Sequence, residues 1–208
     1  MRERPILFSA PRIRAILDGR ETMTRRVITS KWLRCLVLTD DIDAVTEQCP
    51  YGVPGDRLWC QEGYRLTRFY PDDSRRVVSG LYSADDSGFE DVRLSEPEWA
   101  KLCARKCPTR PSSGRHMYRS LARIRLEVVS VRVERVQEIS EADCIAEGVT
   151  PYMEDSGGQN PDGSWISVPR YVYAFRDLWD SINAKRGYGW ESNCWVWVVE
   201  FRRVGQEK

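Results

Sequence analysis

The longest regular pattern in the chain is an alternation of polar and apolar residues over 122–136. Successive side chains of a β-strand point to opposite faces of a sheet, so this alternation predicts a long half-buried strand or a hairpin pair. Shorter strands are predicted at 5–9, 57–62 and 194–201. The core is therefore expected to consist mainly of strands.

Two short helices are predicted at the ends of apolar stretches. Residues 10–18 begin with a proline near the first turn and are followed by Gly19, a residue that favours a helix end. A second short helix starts at Ser140, whose hydroxyl is suited to capping, and reaches Glu147 and Gly148.

A longer amphipathic helix is predicted over 171–185. Its apolar face is expected to contain Phe175, Leu178, Trp179 and Ile182. Short helices between strands predict an α+β fold, with the strands packed as a small mixed β-barrel and short helices at its flank.

Two segments lack a clear pattern. Residues 65–116 are rich in Asp, Ser, Arg and Pro and are predicted to be a long, loop-rich and partly mobile insertion with one helix over 95–104. Residues 152–168 are predicted to be a flexible loop, and residues 40–56 also look loop-like. We expect one domain over 1–208.

The charge is close to balanced overall but is unevenly distributed. The formal net charge is +1, which excludes a uniformly polyanion-binding shell. Residues 1–34 carry a net +6, residues 110–136 a net +5 and residues 137–164 a net −7. Most of the basic residues are arginine, whose planar guanidinium suits phosphate and base contacts, although a GC-rich genome also raises arginine content.

The cysteines and the apolar runs point to a reduced compartment. The seven cysteines are odd in number and irregularly spaced, the first residues lack a signal-peptide core, and no apolar run is long enough to span a membrane. We expect a cytoplasmic protein with free thiols and no membrane partner.

No cofactor is expected, and the alternative is a single zinc site. Cys103, Cys107 and His116, joined by Cys49, are compatible with a zinc site of three cysteines and one histidine. Their spacing is not that of a standard pair of zinc knuckles, and cysteines four apart on a helix also occur by chance. His116 is alternatively a catalytic residue or one that faces a ligand.

The junction over 18–26 concentrates hydrogen-bonding side chains. Thr22 and Thr24 lie two apart on a predicted strand, which places both hydroxyls on one side, facing a pocket beside Arg20. The alternative is that the threonines serve β-structure and helix capping. Arg20, Arg25 and Arg26 are candidate phosphate contacts, or else a solvated face paired with acids.

Aromatic residues on the strands offer a second candidate surface. Candidates for base stacking are found among Trp59, Tyr64, Trp195 and Trp197, and we assign this role to Trp59. The alternative for each of them is a place in the core, because most aromatic side chains at alternating strand positions are core residues.

Taken in order, the motifs resemble the ASCH family, a branch of the PUA-like β-barrel superfamily linked to RNA. The likeness rests on GRETMTRR at 19–26, PGDRLW at 54–59, the acidic helix at 140–148 and WVVEF at 197–201. The chain is most similar to phage and prophage ASCH-domain proteins. The resemblance implies a PUA-like barrel with an ASCH core, encoded by a phage or prophage and located in the bacterial cytoplasm.

The resemblance also implies candidate catalytic residues. The chain is distantly similar to N4-acetylcytidine amidohydrolase, whose catalytic residues are a lysine, a threonine and a glutamate. The threonine matches Thr24, the glutamate matches Glu147, and the lysine position holds Glu21. Glu21 either replaces the lysine as a base or marks a lineage that kept binding alone.

The expected function is therefore nucleic-acid-related. The expected partners are RNA, single-stranded nucleic acid or a modified nucleoside, either bound or processed by hydrolysis, as an amidohydrolase or a ribonuclease. The alternative is a non-catalytic phage accessory protein that binds a host or virion protein.

Overall fold

The structure is a computed structural model that describes residues 1–30, 42–105, 109–159 and 165–205. It shows an α+β protein with mixed sheets and short helices, as the sequence predicts. Among the described strands, the pairs do not close into a barrel. None of the described helices has the length and apolar character needed to cross a membrane.

The described part of the chain contains ten strands and five α-helices. In chain order they are β1 (Glu3–Leu7), α1 (Ala10–Leu17), β2 (Met23–Val27), α2 (Ile42–Glu47), β3 (Arg57–Gln61), β4 (Tyr64–Arg68), β5 (Val77–Tyr82), β6 (Gly88–Arg93), α3 (Glu96–Cys103), β7 (Arg125–Arg135), α4 (Glu141–Ala146), β8 (Tyr152–Gln159), β9 (Trp165–Arg170), α5 (Tyr171–Asn183) and β10 (Trp195–Val204).

The chain folds into two compact units, each assembled from separate stretches of sequence. Unit 1 comprises Met1–Asp18, Pro54–Val128 and Arg202–Lys208, and unit 2 comprises Gly19–Val53 and Val129–Phe201. The long strand β7 begins in unit 1 and ends in unit 2, and β10 does the reverse.

Unit 1 contains parallel and antiparallel pairing within one sheet. β1 runs parallel to β3, with Glu3 opposite Arg57, and β3 runs antiparallel to the start of β7, with Trp59 opposite Arg125. The predicted strands at the start of the chain and after residue 56 are therefore confirmed. The predicted strand over 122–136 is one continuous strand rather than a hairpin.

The segment 65–116 differs from its prediction as a loop-rich insertion. β4, β5 and β6 form a three-stranded antiparallel sheet, and the predicted helix over 95–104 is confirmed as α3. The strands are short, and β4 and β6 bury only part of their side chains, which is why the sequences of these two look like loops. The core of unit 1 contains Trp59, Tyr64, Leu66, Val78, Tyr82, Phe89, Leu94, Leu102, Met117, Leu121 and Ala122.

Unit 2 is built around β2, β10 and two helices. β2 runs antiparallel to β10, with Thr24 opposite Val199. The core of this unit contains Met23, Val136, Ile139, Cys144, Phe175, Trp179, Cys194, Val196 and Val198. The predicted closing strand at 194–201 and the short helix after Ser140 are both confirmed.

Three details of unit 2 differ from the sequence predictions. The described part of the predicted loop 152–168 is a hairpin in which β8 pairs with β9, and α2 lies inside the predicted loop 40–56. In α5, Phe175 and Trp179 are buried, but Leu178 and Ile182 are exposed. Only part of the apolar face that was predicted for this helix is therefore buried.

Candidate functional site

The candidate site lies in unit 2 and begins at the turn after α1. Gly19 has φ +73°, a conformation that favours glycine because it strains residues with a Cβ atom. Beyond the turn, Arg20 is exposed, whereas Glu21 is only 3 % exposed. The charged junction therefore divides into side chains that point to solvent and side chains that point inward.

Glu21 faces Glu147 across an isolated antiparallel β-bridge. Beside this bridge, the Thr22 backbone N–H donates to the Ala146 carbonyl oxygen at 2.7 Å. Side chains of directly opposed residues lie on the same face of a bridge. Glu147 is 6 % exposed, so two buried carboxyl groups share one side of this contact.

The short helix α4 positions Glu147. The Ser140 hydroxyl accepts a hydrogen bond from the Asp143 backbone N–H at 3.1 Å and caps the first turn. Glu147 is the last residue before Gly148, whose φ of +70° ends the helix. Asp143 and Glu147 lie four residues apart, so both carboxylates point to the same side of α4.

Arg25 joins these carboxylates into one buried network. Its guanidinium donates to Glu147 at 3.1 Å, to Asp143 at 2.7 Å and to Glu134 at 2.9 Å, and its side chain is fully buried. Arg132 also donates to Asp143, at 3.1 Å, and to Glu134. We call these five residues the Arg25 cluster.

The ionisation of the Arg25 cluster follows from its contacts. Burial on its own lowers the pKa of Arg25, but attraction to Glu147 and the hydrogen bond to Asp143 hold that pKa above its ordinary value. Burial raises the pKa of Asp143, but the hydrogen bond and charge of Arg25 outweigh it and leave the pKa lowered. Both groups are therefore charged near neutral pH.

Carboxyl groups outnumber guanidinium groups among these residues. Together with Glu21, the Arg25 cluster holds four carboxyl groups and two guanidinium groups. Carboxylates accept hydrogen bonds and are suited to the exocyclic amino groups of cytosine or adenine.

The two threonines of the junction differ in their exposure, and their shared pocket stays a prediction. Thr22 precedes β2 and is exposed, whereas Thr24 lies within β2 and is 0 % exposed. Within the described part of the chain, the Thr24 hydroxyl has no hydrogen-bond partner. Since neighbouring strand residues point to opposite faces, Thr24 points away from the face on which Arg25 meets Glu147.

The three arginines of the junction have different environments. Arg25 is held by carboxylates inside unit 2, so the prediction that it contacts phosphate is not supported by its geometry. The Arg26 guanidinium is partly buried and lies 6.0 Å from the ring centroid of Tyr51. Arg20 alone of these three is exposed to solvent.

Trp59 and His116 belong to unit 1. Trp59 is 9 % exposed and packs in the core of that unit. The other aromatic candidates are also largely enclosed, since Tyr64 and Trp197 are buried and the Trp195 ring is covered by Arg135 at 4.0 Å. His116 is exposed and lines a cavity of unit 1.

The zinc hypothesis gains no support in the described residues. Cys49 is buried in unit 2, whereas Cys103 and His116 are exposed residues of unit 1, and Cys107 lies outside the described residues. Over the described ranges, no group of three or more His, Cys, Asp or Glu side chains is arranged to hold a metal ion.

Sequence reasoning missed three members of the Arg25 cluster. Asp143 was detectable in principle, because it precedes Glu147 by one helical turn. Arg132 and Glu134 alternate with apolar residues on β7, which made them look like ordinary solvent-facing positions. Their partners come from β2 and α4, which are distant in sequence.

The comparisons with known proteins leave the family open. No family model matches the chain, and neither a curated protein nor a solved structure matches it significantly.

Proposed function

We propose that the chain is an ASCH-type protein with a PUA-like core, encoded by a phage or prophage, that binds RNA or a modified nucleoside in the bacterial cytoplasm. One observation carries the proposal. Glu21, at the lysine position of the resembled motif, and Glu147, at its glutamate position, meet across a β-bridge. Two motif positions that the resemblance assigns to one site are thus adjacent in space.

Two features favour binding over amide hydrolysis. A glutamate at the lysine position reverses the charge that the amidohydrolase mechanism would use there. Strand alternation places the Thr24 hydroxyl on the face opposite to the Arg25 contacts, so it is not oriented to act together with Glu147. The carboxylates are then hydrogen-bond acceptors for a base rather than an acid–base pair.

The test is a binding and turnover panel. Calorimetry with cytidine, N4-acetylcytidine and short single-stranded RNA is expected to show binding without product formation by mass spectrometry. Glu21→Gln should weaken binding by about 10-fold or more, since a hydrogen bond to a charged group is worth about 1.5–3 kcal/mol. Glu141→Gln, an exposed position on α4, is the matched control and should bind like the wild type.

Two results would contradict this proposal. Release of acetate from N4-acetylcytidine by the wild type would show that the protein is a hydrolase rather than a binding protein. Equal binding by Glu21→Gln and Glu141→Gln, with both variants folded by circular dichroism, would remove the carboxylate pair from the site.

A second function is favoured by exposed apolar residues of unit 2. Tyr152 and Met153 on β8 and Tyr173, Leu178 and Ile182 on α5 are all exposed, and the Tyr152 hydroxyl lies 3.3 Å from Asp177 of the same helix. Such residues suit a host or virion protein as partner. Absence of binding to RNA, DNA and nucleosides at low salt would favour this second function.

A further inference from the structure

Unit 1 contains a cationic cavity that the proposed function does not use. The cavity has a volume of about 450 Å³ and is lined by Lys101, Arg105, His116, Met117 and Tyr118. We propose that it binds the phosphate monoester of a nucleoside. The proposal is independent of the carboxylate site, because every lining residue belongs to unit 1.

Arg105 is fixed in place by neutral partners. Its Nη2 donates to the Ser112 hydroxyl at 2.8 Å and its Nη1 donates to the Tyr64 hydroxyl at 3.3 Å. Tyr64 and Ser112 are themselves joined by reciprocal backbone hydrogen bonds of 3.0 and 2.8 Å. The guanidinium is therefore oriented in advance while its positive charge is left available, which is the condition for strong phosphate binding.

The cavity walls are tied together by the same tyrosine. The fully buried Tyr64 donates its hydroxyl hydrogen to the His116 carbonyl oxygen at 3.3 Å. The turn that carries His116 is also packed closely, because a Cβ atom on Gly114 would come within 2.8 Å of Leu7 and 2.9 Å of the Glu62 backbone. The turn that carries His116 is thus fixed to Tyr64, the residue that also holds Arg105.

The positive charges of the cavity are not neutralised within the described part of the chain. There, no carboxylate lies within ion-pair distance of Lys101 or Arg105. The nearby acid on α3, Glu98, is instead hydrogen-bonded to Ser95 and Ser120. Elsewhere in unit 1, several arginines are paired with acids, so this cavity differs from its surroundings.

The remaining walls suit a flat, partly apolar group. Met117 is buried, and the half-buried Tyr118 packs against the core of unit 1. Burial raises the pKa of Tyr118 although Arg105 opposes the shift, so its hydroxyl stays protonated and can donate to a phosphate oxygen. The cavity volume lies within the range of roughly 300–1,000 Å³ that is usual for small ligands. A phosphate joined to a nucleobase matches these walls.

The test uses the full chain and four probes. Calorimetry is carried out with adenosine 5′-monophosphate, adenosine, inorganic phosphate and a 5′-phosphorylated single-stranded oligonucleotide. The monophosphate is expected to bind at least about 10-fold more tightly than adenosine, because adenosine has no phosphate and cannot form the charged hydrogen bonds. Equal binding of adenosine and its monophosphate would overturn the proposal.

Variants then assign the contact to the cavity. Arg105→Gln is expected to weaken binding of the monophosphate by about 10- to 100-fold, and Lys101→Gln by a smaller factor. Arg115→Gln changes an exposed arginine of the same turn that does not line the cavity, and should have no effect. Lys101 is exposed, so its variant is expected to fold even if Arg105→Gln does not.

The oligonucleotide distinguishes a free nucleotide from the end of a nucleic acid as the natural ligand. If the 5′-phosphorylated oligonucleotide binds as tightly as the monophosphate, the cavity is assigned to nucleic-acid ends. If the oligonucleotide binds more weakly, the cavity is assigned to free nucleotides. Equal affinity for the wild type, Lys101→Gln and Arg105→Gln, all folded, contradicts the proposal. Glu21→Gln should leave this binding unchanged, so failure here is distinguishable from failure of the carboxylate site.

Discussion

Arg123 donates two parallel hydrogen bonds to the buried carboxylate of Glu62, at 2.8 Å from Nε and at 2.9 Å from Nη2. Glu62 is 1 % exposed, and the guanidinium also lies 4.1 Å from the ring centroid of Tyr82. Removal of one partner from such a pair leaves a buried charge without compensation. Loss of Arg123 is therefore expected to destabilise unit 1.

Replacing Arg123 with methionine should lower the free energy of unfolding by about 3–5 kcal/mol, the usual cost of breaking a buried pair. Urea denaturation measures this change. Arg75→Gln is the control, because Arg75 forms its ion pair with Asp73 at the exposed surface, and it should leave the unfolding midpoint unchanged. A loss below about 1 kcal/mol for Arg123→Met would show that Glu62 finds another partner.

Stability should fall in acid, between about pH 4 and pH 2. The hydrogen bond from Arg123 lowers the pKa of Asp85 to about 2, against an ordinary value of 3.8, and Arg25 lowers the pKa of Asp143. A carboxyl group with a lowered pKa stabilises the folded state above its unfolded pKa and loses that contribution as pH falls through its folded pKa. Urea midpoints from pH 7 to pH 2 measure the loss.

The matched pair Asp85→Asn and Asp86→Asn isolates one contribution to this acid transition. Asp85→Asn should already be less stable at pH 7 and should lose less stability on acidification, whereas Asp86→Asn should follow the wild type. Identical acid profiles for the wild type and Asp85→Asn would contradict the assignment.

Cys144 should resist alkylation in the folded protein. Burial, aided by the negative charge of Glu147, raises the pKa of the Cys144 thiol to about 12, so little reactive thiolate exists at pH 8. Cys103 is exposed and provides an internal comparison. Peptide mass spectrometry after a short iodoacetamide treatment should find Cys103 modified and Cys144 unmodified until urea is added. Early modification of Cys144 would indicate that α4 opens readily.

Thr24→Val should leave stability unchanged or raise it by about 1 kcal/mol. The Thr24 hydroxyl is buried and lacks a hydrogen-bond partner among the described residues, and an unsatisfied buried polar group costs about 1–3 kcal/mol. Thermal unfolding measures the effect, with Thr22→Val at an exposed position as the control. Clear destabilisation by Thr24→Val alone would show that the hydroxyl makes a stabilising contact.

The sequence was informative where structure is determined locally. The alternation along β7, the proline and glycine at the ends of α1, and the Ser140 cap of α4 each depend on neighbouring residues, and all three were predicted correctly. The pairing of Glu21 with Glu147 was anticipated only through the resemblance, which placed both in one site. The bridge itself is set by the approach of α4 to β2.

The failures have a common physical cause. The role of Arg25 depends on Glu134, Asp143 and Glu147, all remote in sequence, so nothing beside it distinguishes it from the exposed Arg20. The sheet within 65–116 was missed because its short strands become regular only through pairing with each other. Likewise, Leu178 and Ile182 are apolar yet exposed, which helical periodicity does not reveal.

The passage of the chain between its two units has a consequence for synthesis and for engineering. The chain passes from one unit to the other after Asp18, Val53, Val128 and Phe201, and β10 supplies residues to both units. Domains made from contiguous sequence fold one after another as they leave the ribosome. Here neither unit has all of its strands until β10 has emerged. For the same reason, no single truncation yields either unit alone, and isolating one requires a permuted or spliced gene.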